Sequence, residues 1–484
     1  MGCGFHIENF GCRAARADGE AIAARLLSSG HCLEQPTEAE VVIVNTCTVT
    51  AEADRQARAF IRRANRSNPR AKIVVTGCYA QRAPAELAAM SGVAAVVGNS
   101  HKALAPQIIA AAAAQPSLSA PAPAALVSVQ SLLQPHASSA PVWADDGFAH
   151  TFIAEAQLVP GAQTRPNLKI QEGCANRCTF CVIPFTRGPS RSLPFTAVIA
   201  QVEGFIAAGG NELVLSGINL GRWGRELPEP ARTSLAALVR HILSRTALPR
   251  LRLSSIEPMD WSDDLIALMA EYAGPNCGEP RLARHAHLPL QSGSDAVLRR
   301  MHRRYRPWHY AEKLSRLLCA AGSELTLGAD VMAGFPGETD AEFEETVAFI
   351  RSLPFGYLHL FPFSPRPGTR GWQLHRDAPV APRAIHERME MLRALAREKA
   401  FAHRAKMVGR MLPAITLHTP SPLAAVGRTE ALTDNFLPLE LEGTFPANQL
   451  LDVNVHALTP EGVLAARPAL ENENLPLLAL SAAR

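Results

Sequence analysis

The segment Gly173-Cys174-Ala175-Asn176-Arg177-Cys178-Thr179-Phe180-Cys181 sets three cysteines at C-x3-C-x2-C spacing, and no other feature of the chain limits its chemistry so closely. Electron-transfer iron–sulfur clusters take four thiolates. Three thiolates leave one iron of a [4Fe-4S] cluster without a protein ligand, free to bind a substrate or cofactor. A zinc knuckle is a competing use of such a triplet, but it needs a fourth Cys or His close by, and none follows at suitable spacing. Three unrelated core cysteines are the other alternative, because free Cys is commonly buried.

The chain has 484 residues, enough for two to four domains. With 47% hydrophobic residues it can bury sizeable cores. No stretch approaches the roughly 18 uncharged apolar residues of a membrane span, no basic-then-apolar leader opens the chain, and His6 breaks the myristoylation pattern that Met1-Gly2 begins. The expected location is cytoplasmic, with no membrane partner. Ten cysteines in a reducing compartment point to metal or catalytic use over disulfides. Besides the central triplet, Cys3, Cys12, Cys32, Cys47 and Cys78 crowd the N-terminal region, while Cys277 and Cys319 stand alone as packing residues. The net charge of +4 is too small to indicate nucleic-acid binding by itself. The arginines between Arg55 and Arg66 spread along an expected helix, where a solvated face and an RNA contact explain them equally.

Strand-like and helix-like runs alternate through the first hundred residues. Helices are expected at Gly19 to Ser29 and Ala53 to Asn65, and strands at Glu40 to Asn45 and Ala71 to Thr76, which implies a parallel α/β sheet. Cys47 and Cys78 each fall just past a strand's C-terminal end, where open α/β sheets gather their ligand sites, and Cys12 precedes the first helix. Residues 1–102 form this first domain. Residues 103–160 are Ala/Pro/Ser-rich, as in Ser119-Ala120-Pro121-Ala122-Pro123, and read as a linker or insertion. Residues 161–406 hold six strand candidates, at Leu168 to Gln171, Glu212 to Ser216, Leu251 to Ile256, His285 to Leu290, Leu325 to Met332 and Tyr357 to Phe363. Six βα units suit a partial barrel, with the cysteine triplet in the loop after its first strand, at the mouth where α/β barrels place their chemistry. A long helix from Pro382 to Lys406 closes this unit, and residues 407–470 read as a small β-barrel.

Taken with Asn45-Thr46-Cys47-Thr48-Val49-Thr50, Thr76-Gly77-Cys78-Tyr79-Ala80-Gln81, Ile183-Pro184-Phe185-Thr186-Arg187-Gly188, Leu288-Pro289-Leu290-Gln291-Ser292-Gly293-Ser294 and Met332-Ala333-Gly334-Phe335-Pro336-Gly337-Glu338-Thr339, the triplet resembles the radical S-adenosylmethionine (SAM) methylthiotransferase family. The resemblance implies a parallel α/β cluster domain, a partial (βα)6 radical SAM barrel and a C-terminal TRAM-like β-barrel. It implies two [4Fe-4S] clusters, one on Cys174, Cys178 and Cys181 that binds SAM, and a second on Cys12, Cys47 and Cys78 that supplies sulfur. SAM then serves once as methyl donor and once as radical source. Glu212 matches a position where the family places a carboxylate, a candidate for the SAM amino group or else a surface Glu. Gln291, Ser292, Gly334 and Gly337 match pocket-lining positions, with turn formation as the other use of the glycines. Cys3 and Cys32 match no ligand. Ala15 departs from the Asn that the family carries three residues after its first cysteine.

Thr48-Val49-Thr50 and the basic helix after it resemble the branch that converts N6-threonylcarbamoyladenosine, next to the tRNA anticodon, to its 2-methylthio derivative. The implied partners are tRNA, a flavodoxin-type reductant and a sulfur donor. Branches acting on N6-isopentenyladenosine, or on an aspartate of a ribosomal protein, are the alternatives. An electron carrier is disfavoured because two three-cysteine sites would leave two open irons without use. In the C-terminal barrel Phe436 and Phe445 are the candidates for stacking on bases, or are core residues.

Overall fold

The computed structural model describes residues 2–114, 139–152, 164–278 and 280–469. Its first domain is a wholly parallel sheet in the order β2-β1-β3-β4-β5-β6, from β1 (Gly4–Asn9), β2 (Cys32–Leu33), β3 (Val41–Thr46), β4 (Lys72–Gly77), β5 (Val93–Gly98) and β6 (Val142–Trp143). Both faces of such a sheet must be covered. Alternation along β3 does this: Val41 and Ile43 pack with Ile22 and Leu26 of α1 (Arg13–Ser28), while Val42 and Val44 pack with Ala57 and Ile61 of α2 (Ala51–Ser67). Thr50 caps α2 by accepting from the Ala53 amide at 3.2 Å, with Glu52 and Asp54 in the first turn favouring that helix end.

Four strands of this sheet escaped the sequence reading, among them β2 and β6, which are two residues long. β1 is mixed in polarity, and β5 carries two alanines, so neither stands out as a β-branched run. Helix α1 begins at Arg13, six residues before its expected start. The domain also extends past residue 102. The helix Ala105–Ala114 packs Ile109 and Ala112 into the core beside Val41 and Ile43, and β6 pairs with β5. The Pro/Ala run Ser119 to Pro123 lies outside the described residues.

The second domain has six parallel strands, as expected: β7 (Asn167–Glu172), β9 (Glu212–Gly217), β10 (Arg250–Leu253), β11 (His285–His287), β12 (Thr326–Ala333) and β13 (Phe355–Pro362). A short β8 (Arg191–Ser192) pairs antiparallel with β7. The sheets β10-β9-β7-β8 and β11-β12-β13 are joined by a parallel bridge from Leu251 to Leu282. Leu168, Ile170, Leu213, Leu215, Leu251 and Leu253 lie in the core under the surrounding helices. Strand alternation therefore turns Lys169, Gln171, Glu212, Ser216, Arg252, His285, His287, Asp330, Tyr357 and His359 inward. Complete α/β barrels fill this space with branched aliphatics; here the lumen is polar.

The N-terminal domain spans the gap that the missing barrel strands leave. On one side Asp18 of α1 pairs with Lys169 of β7. On the other, the Arg366 guanidinium, just after β13, lies 2.6 Å from Asp54 of α2, and the Ala51 amide donates to Ser364 Oγ at 3.0 Å. The third domain is a closed barrel, β14-β15-β16-β18-β17, from β14 (Met411–Thr416), β15 (Arg428–Thr433), β16 (Pro438–Glu442), β17 (Leu450–Leu458) and β18 (Leu464–Pro468), around Leu412, Leu439, Leu441 and Val453. It docks under the lumen through Arg284 and Asp434 at 2.5 Å and through Asn435 Nδ2 donating to the Glu324 carbonyl at 2.9 Å. Among the described residues no helix is long and apolar enough to cross a membrane.

Candidate active site

The N-terminal cysteines meet at one edge of the first sheet. Cys47 follows β3, Cys78 opens the short helix α3 (Cys78–Arg82) after β4, and Cys12 caps α1. Gly11 makes the approach possible. Its φ is +106°, and a Cβ there would lie 2.4 Å from that of Cys47. Burial pushes the Cys47 thiol up to about 12, with Cys78 and then Cys12 adding to the rise, so the three sulfurs sit close enough to repel as thiolates. Arg187 Nε donates to Cys78 Sγ at 3.2 Å and Asn99 Nδ2 donates to the same sulfur at 3.3 Å. Both donors are fully buried.

The central triplet occupies the loop after β7. Burial pushes Cys181 up to about 12, with Cys178 and then Cys174 adding to it. Arg303 Nη1 donates to Cys178 Sγ at 3.2 Å, and Asn219 Nδ2 lies 3.7 Å from Cys174 Sγ. Arg303 in turn binds Glu257 at 2.5 Å. A cavity of about 370 Å³ opens here, lined by Asn176, Cys178, Arg222, Glu257, His302 and Arg303.

Both triads suit an iron–sulfur cluster. All six cysteines are free thiols, and burial opposes the ionisation of Cys47, Cys174 and Cys181. Each triad has one guanidinium and one side-chain amide aimed at a sulfur, and N–H to sulfur bonds are among the features that set cluster potentials. Arg187 Nη2 is moreover buried without a hydrogen-bond partner.

A buried ion network joins the triads. Asp18, Lys102, Lys169, Glu172 and Arg187 are all buried, with Lys102 2.5 Å from Asp18, Lys169 2.6 Å from Glu172, and Arg187 3.1 Å from Asp18 and 2.7 Å from Glu172. Glu172 directly precedes Gly173 and Cys174, so the network reaches from one triad to the other. Against the upward push of burial, Arg187, Lys102 and Lys169 hold Glu172 well below the usual carboxylate range. Sequence reading missed Asn99, Asn219, Glu257 and Arg303, and gave Arg187 no role within the Ile183 to Gly188 motif.

Glu212 does not lie at the triplet, which corrects its expected contact with the SAM amino group. It is the first residue of β9, whereas the triplet follows the last residue of the parallel neighbour β7. Five residues of strand, roughly 16 Å, separate it from the mouth. Its carboxylate is enclosed by Arg252 at 2.7 Å, Arg250 at 3.4 Å and Arg165 at 3.5 Å. Ser292 is also committed elsewhere, its hydroxyl 2.9 Å from Thr346 Oγ1 in a turn brace. Gln291 has φ +68° and bridges to Val331, with its Oε1 buried and unpartnered. Gly334 and Gly337 both have positive φ; Ile385 fills the space a Gly334 Cβ would take, and Glu338 accepts from the Gly334 amide at 2.7 Å. The turn alone thus requires both glycines. Phe436 and Phe445 are not free stacking platforms. Phe436 closes the barrel floor, 4.5 Å from the His285 ring, and Phe445 packs on the C-terminal core. Cys3 contacts His31 at the other end of the sheet, and Cys32 lies beside Glu34.

Residues 4–98 match the family model described as uncharacterized protein family UPF0004, and residues 168–350 match that of the radical SAM superfamily. The chain is 33% identical to the threonylcarbamoyladenosine tRNA methylthiotransferase MtaB of Bacillus subtilis (strain 168), over 91% of this chain and 90% of that one. The chain belongs to the radical SAM methylthiotransferase family. It is accordingly an enzyme that uses two [4Fe-4S] clusters and SAM. This methylthiotransferase is also 33% identical to the tRNA-2-methylthio-N(6)-dimethylallyladenosine synthase of Cereibacter sphaeroides, over 84% of this chain and 85% of that one. Its fold is similar to that of the radical SAM methyltransferase TsrM from Kitasatospora setae, with a TM-score of 0.52, 16% identity and 75% of each chain covered.

Proposed function

We propose that the enzyme converts N6-threonylcarbamoyladenosine beside the tRNA anticodon to its 2-methylthio derivative. The observation that carries the chemistry is the pair of three-cysteine sites, each with a buried arginine at one sulfur, joined through Arg187 and Glu172. The substrate reading is supported by the tRNA enzymes to which the chain is similar, of which MtaB covers the larger share of it.

In this reading Cys174, Cys178 and Cys181 hold the SAM-binding cluster and Cys12, Cys47 and Cys78 the sulfur-bearing one. When bound, these groups supply an electron for cleavage of the SAM sulfonium and a sulfur atom for transfer. The residues of the chain do the rest. Arg303 and Arg187 hold thiolate sulfurs against their mutual repulsion, and Glu257 presents a carboxylate to the cavity where the SAM amino group binds. Phe436 seals the lumen from below. A flavodoxin-type reductant, a sulfur donor and a cytoplasmic location complete the proposal.

Mass spectrometry of tRNA nucleosides from a deletion strain tests it. Loss of the 2-methylthio form of threonylcarbamoyladenosine is expected, with the methylthiolated isopentenyladenosine untouched. The opposite pattern would move the enzyme to the isopentenyladenosine branch.

A further inference from the structure

One wall of the barrel lumen carries a side-chain cluster that the triads do not use. His287, Asp330 and His359 come from the adjacent strands β11, β12 and β13, and their ligand atoms all lie within 4.8 Å of one another. Asp330 Oδ1 is 3.3 Å from His287 Nε2 and 3.3 Å from His359 Nδ1. One carboxylate oxygen thus sits between two imidazoles: it hydrogen-bonds His359 Nδ1, while His287 Nε2 stays buried without a hydrogen-bond partner, and the His359 side chain, 60% exposed, keeps its Nε2 for a ligand. Asp330 and His359 are direct cross-strand partners, whereas His287 pairs two residues earlier, with Gly328, which has no side chain. A Cβ there would lie 2.1 Å from the Tyr357 ring, which stacks on His287 with centroids 5.9 Å apart and lies tilted by 51° beside His359 at 5.1 Å.

Below this wall the lumen is electropositive. Arg165, Arg250 and Arg252 share the single carboxylate of Glu212, and Arg252 Nη1 is buried with no partner. Arg13, the residue after Cys12, reaches the same floor, its guanidinium 5.3 Å from the Phe436 ring centroid, and makes no ion pair among the described residues. β13 runs on into Ser364 and Arg366, which carry the N-terminal domain, so His359 faces the lumen on the side that the domain closes. A neutral isopentenyl group placed here would desolvate imidazoles and guanidiniums without pairing them, which is costly. A substituent bearing a carboxylate and a hydroxyl supplies what they lack.

We infer that the His287–Asp330–His359 wall is the subsite for the N6 substituent of the modified adenosine, with His359, protonated on both ring nitrogens in the complex, donating through Nδ1 to Asp330 and through Nε2 to the substituent's carboxylate, and with Arg13 and Arg252 supplying the positive field. This rests on the threonylcarbamoyladenosine reading above and assigns the residues that would make the enzyme prefer that nucleoside.

The test is binding of two anticodon stem-loops to the full-length protein, one carrying threonylcarbamoyladenosine and one unmodified adenosine. The ratio of the two affinities is read, because a folding defect lowers both. Loss of one charge-assisted hydrogen bond should cut the ratio about tenfold or more in His359→Phe, with part of it restored in His359→Gln. An unchanged ratio in both His359→Phe and Asp330→Asn would overturn the inference while leaving the proposed reaction intact. Stoichiometric divalent metal in the purified protein, lost in those variants, would also overturn it, since the cluster would then be a metal site. If the wild-type protein itself does not prefer the threonylcarbamoyladenosine loop to the unmodified one, the functional reading fails and the inference with it.

Discussion

Arg187 touches both halves of the active site: its Nε donates to Cys78 Sγ at 3.2 Å while its Nη1 lies 2.7 Å from Glu172, the residue before the Gly173-Cys174 loop. Asp18 adds a third contact at 3.1 Å. A guanidinium suits this place because its planar fork can serve a thiolate and two carboxylates at once. Arg187→Met should destabilise the protein by about 3 kcal/mol or more, by leaving buried carboxylates short of a partner, as measured by denaturant unfolding. Arg187→Lys keeps charge but not the fork. In the reconstituted protein it should shift the reduction potential of the N-terminal cluster in an EPR-monitored titration, and leave that of the central cluster little changed.

The two triads should be separable. Reconstituted protein is expected to carry about eight irons, and Cys174→Ala, Cys178→Ala and Cys181→Ala together should remove about half of them and abolish reductive SAM cleavage. Replacing Cys12, Cys47 and Cys78 by Ala should remove the other half and stop product formation while 5′-deoxyadenosine still forms. Iron analysis and chromatography of the SAM products check both.

Glu212 is expected to matter for stability and not for SAM affinity. Against the upward push of burial, Arg252, Arg165 and Arg250 pull it down from 4.5 to about 2. A depressed folded-state value means that its contribution is fully present above the unfolded value and is lost as pH falls from there toward 2. The difference corresponds to about 3 kcal/mol, so unfolding free energy should fall between neutral pH and pH near 3. Glu212→Gln should flatten that part of the profile and leave SAM binding, read by calorimetry, unchanged. Weakened SAM binding would return Glu212 to the site.

Arg62, Arg63 and Arg66 form the exposed basic face of α2. Arg55 and Arg58 are already paired, with Glu52 and Glu86. If the exposed three contact tRNA phosphates, changing each to Ala should weaken binding similarly for all tRNA sequences and lower the slope of log affinity against log salt by just under about 1 per residue. Filter binding at several salt concentrations measures it, and an unchanged slope would assign these arginines to solvent.

The sequence alone determined the parts of this protein that depend on local pattern. Val-rich runs at 41–46 and 72–77 can only be buried strands of a covered sheet, and the cysteines that follow them fall at strand ends wherever the sheet sits. Barrel strands were legible because outward apolar residues recur with period two, as Leu213 and Leu215 do in β9 and Leu327, Ala329 and Val331 in β12. What the pattern could not carry was which end of a strand a residue occupies relative to a distant loop. Glu212 opens its strand and so points into the arginine cage at the floor, while Glu257, which no motif marked, reaches the mouth. Nor could sequence show that Phe436 plugs another domain's barrel, that Arg187 bridges two triads, or that His287, Asp330 and His359 converge. Those relations depend on parallel register and on three domains packing together, and residues far apart in the chain become neighbours only when the burial of many side chains fixes that packing.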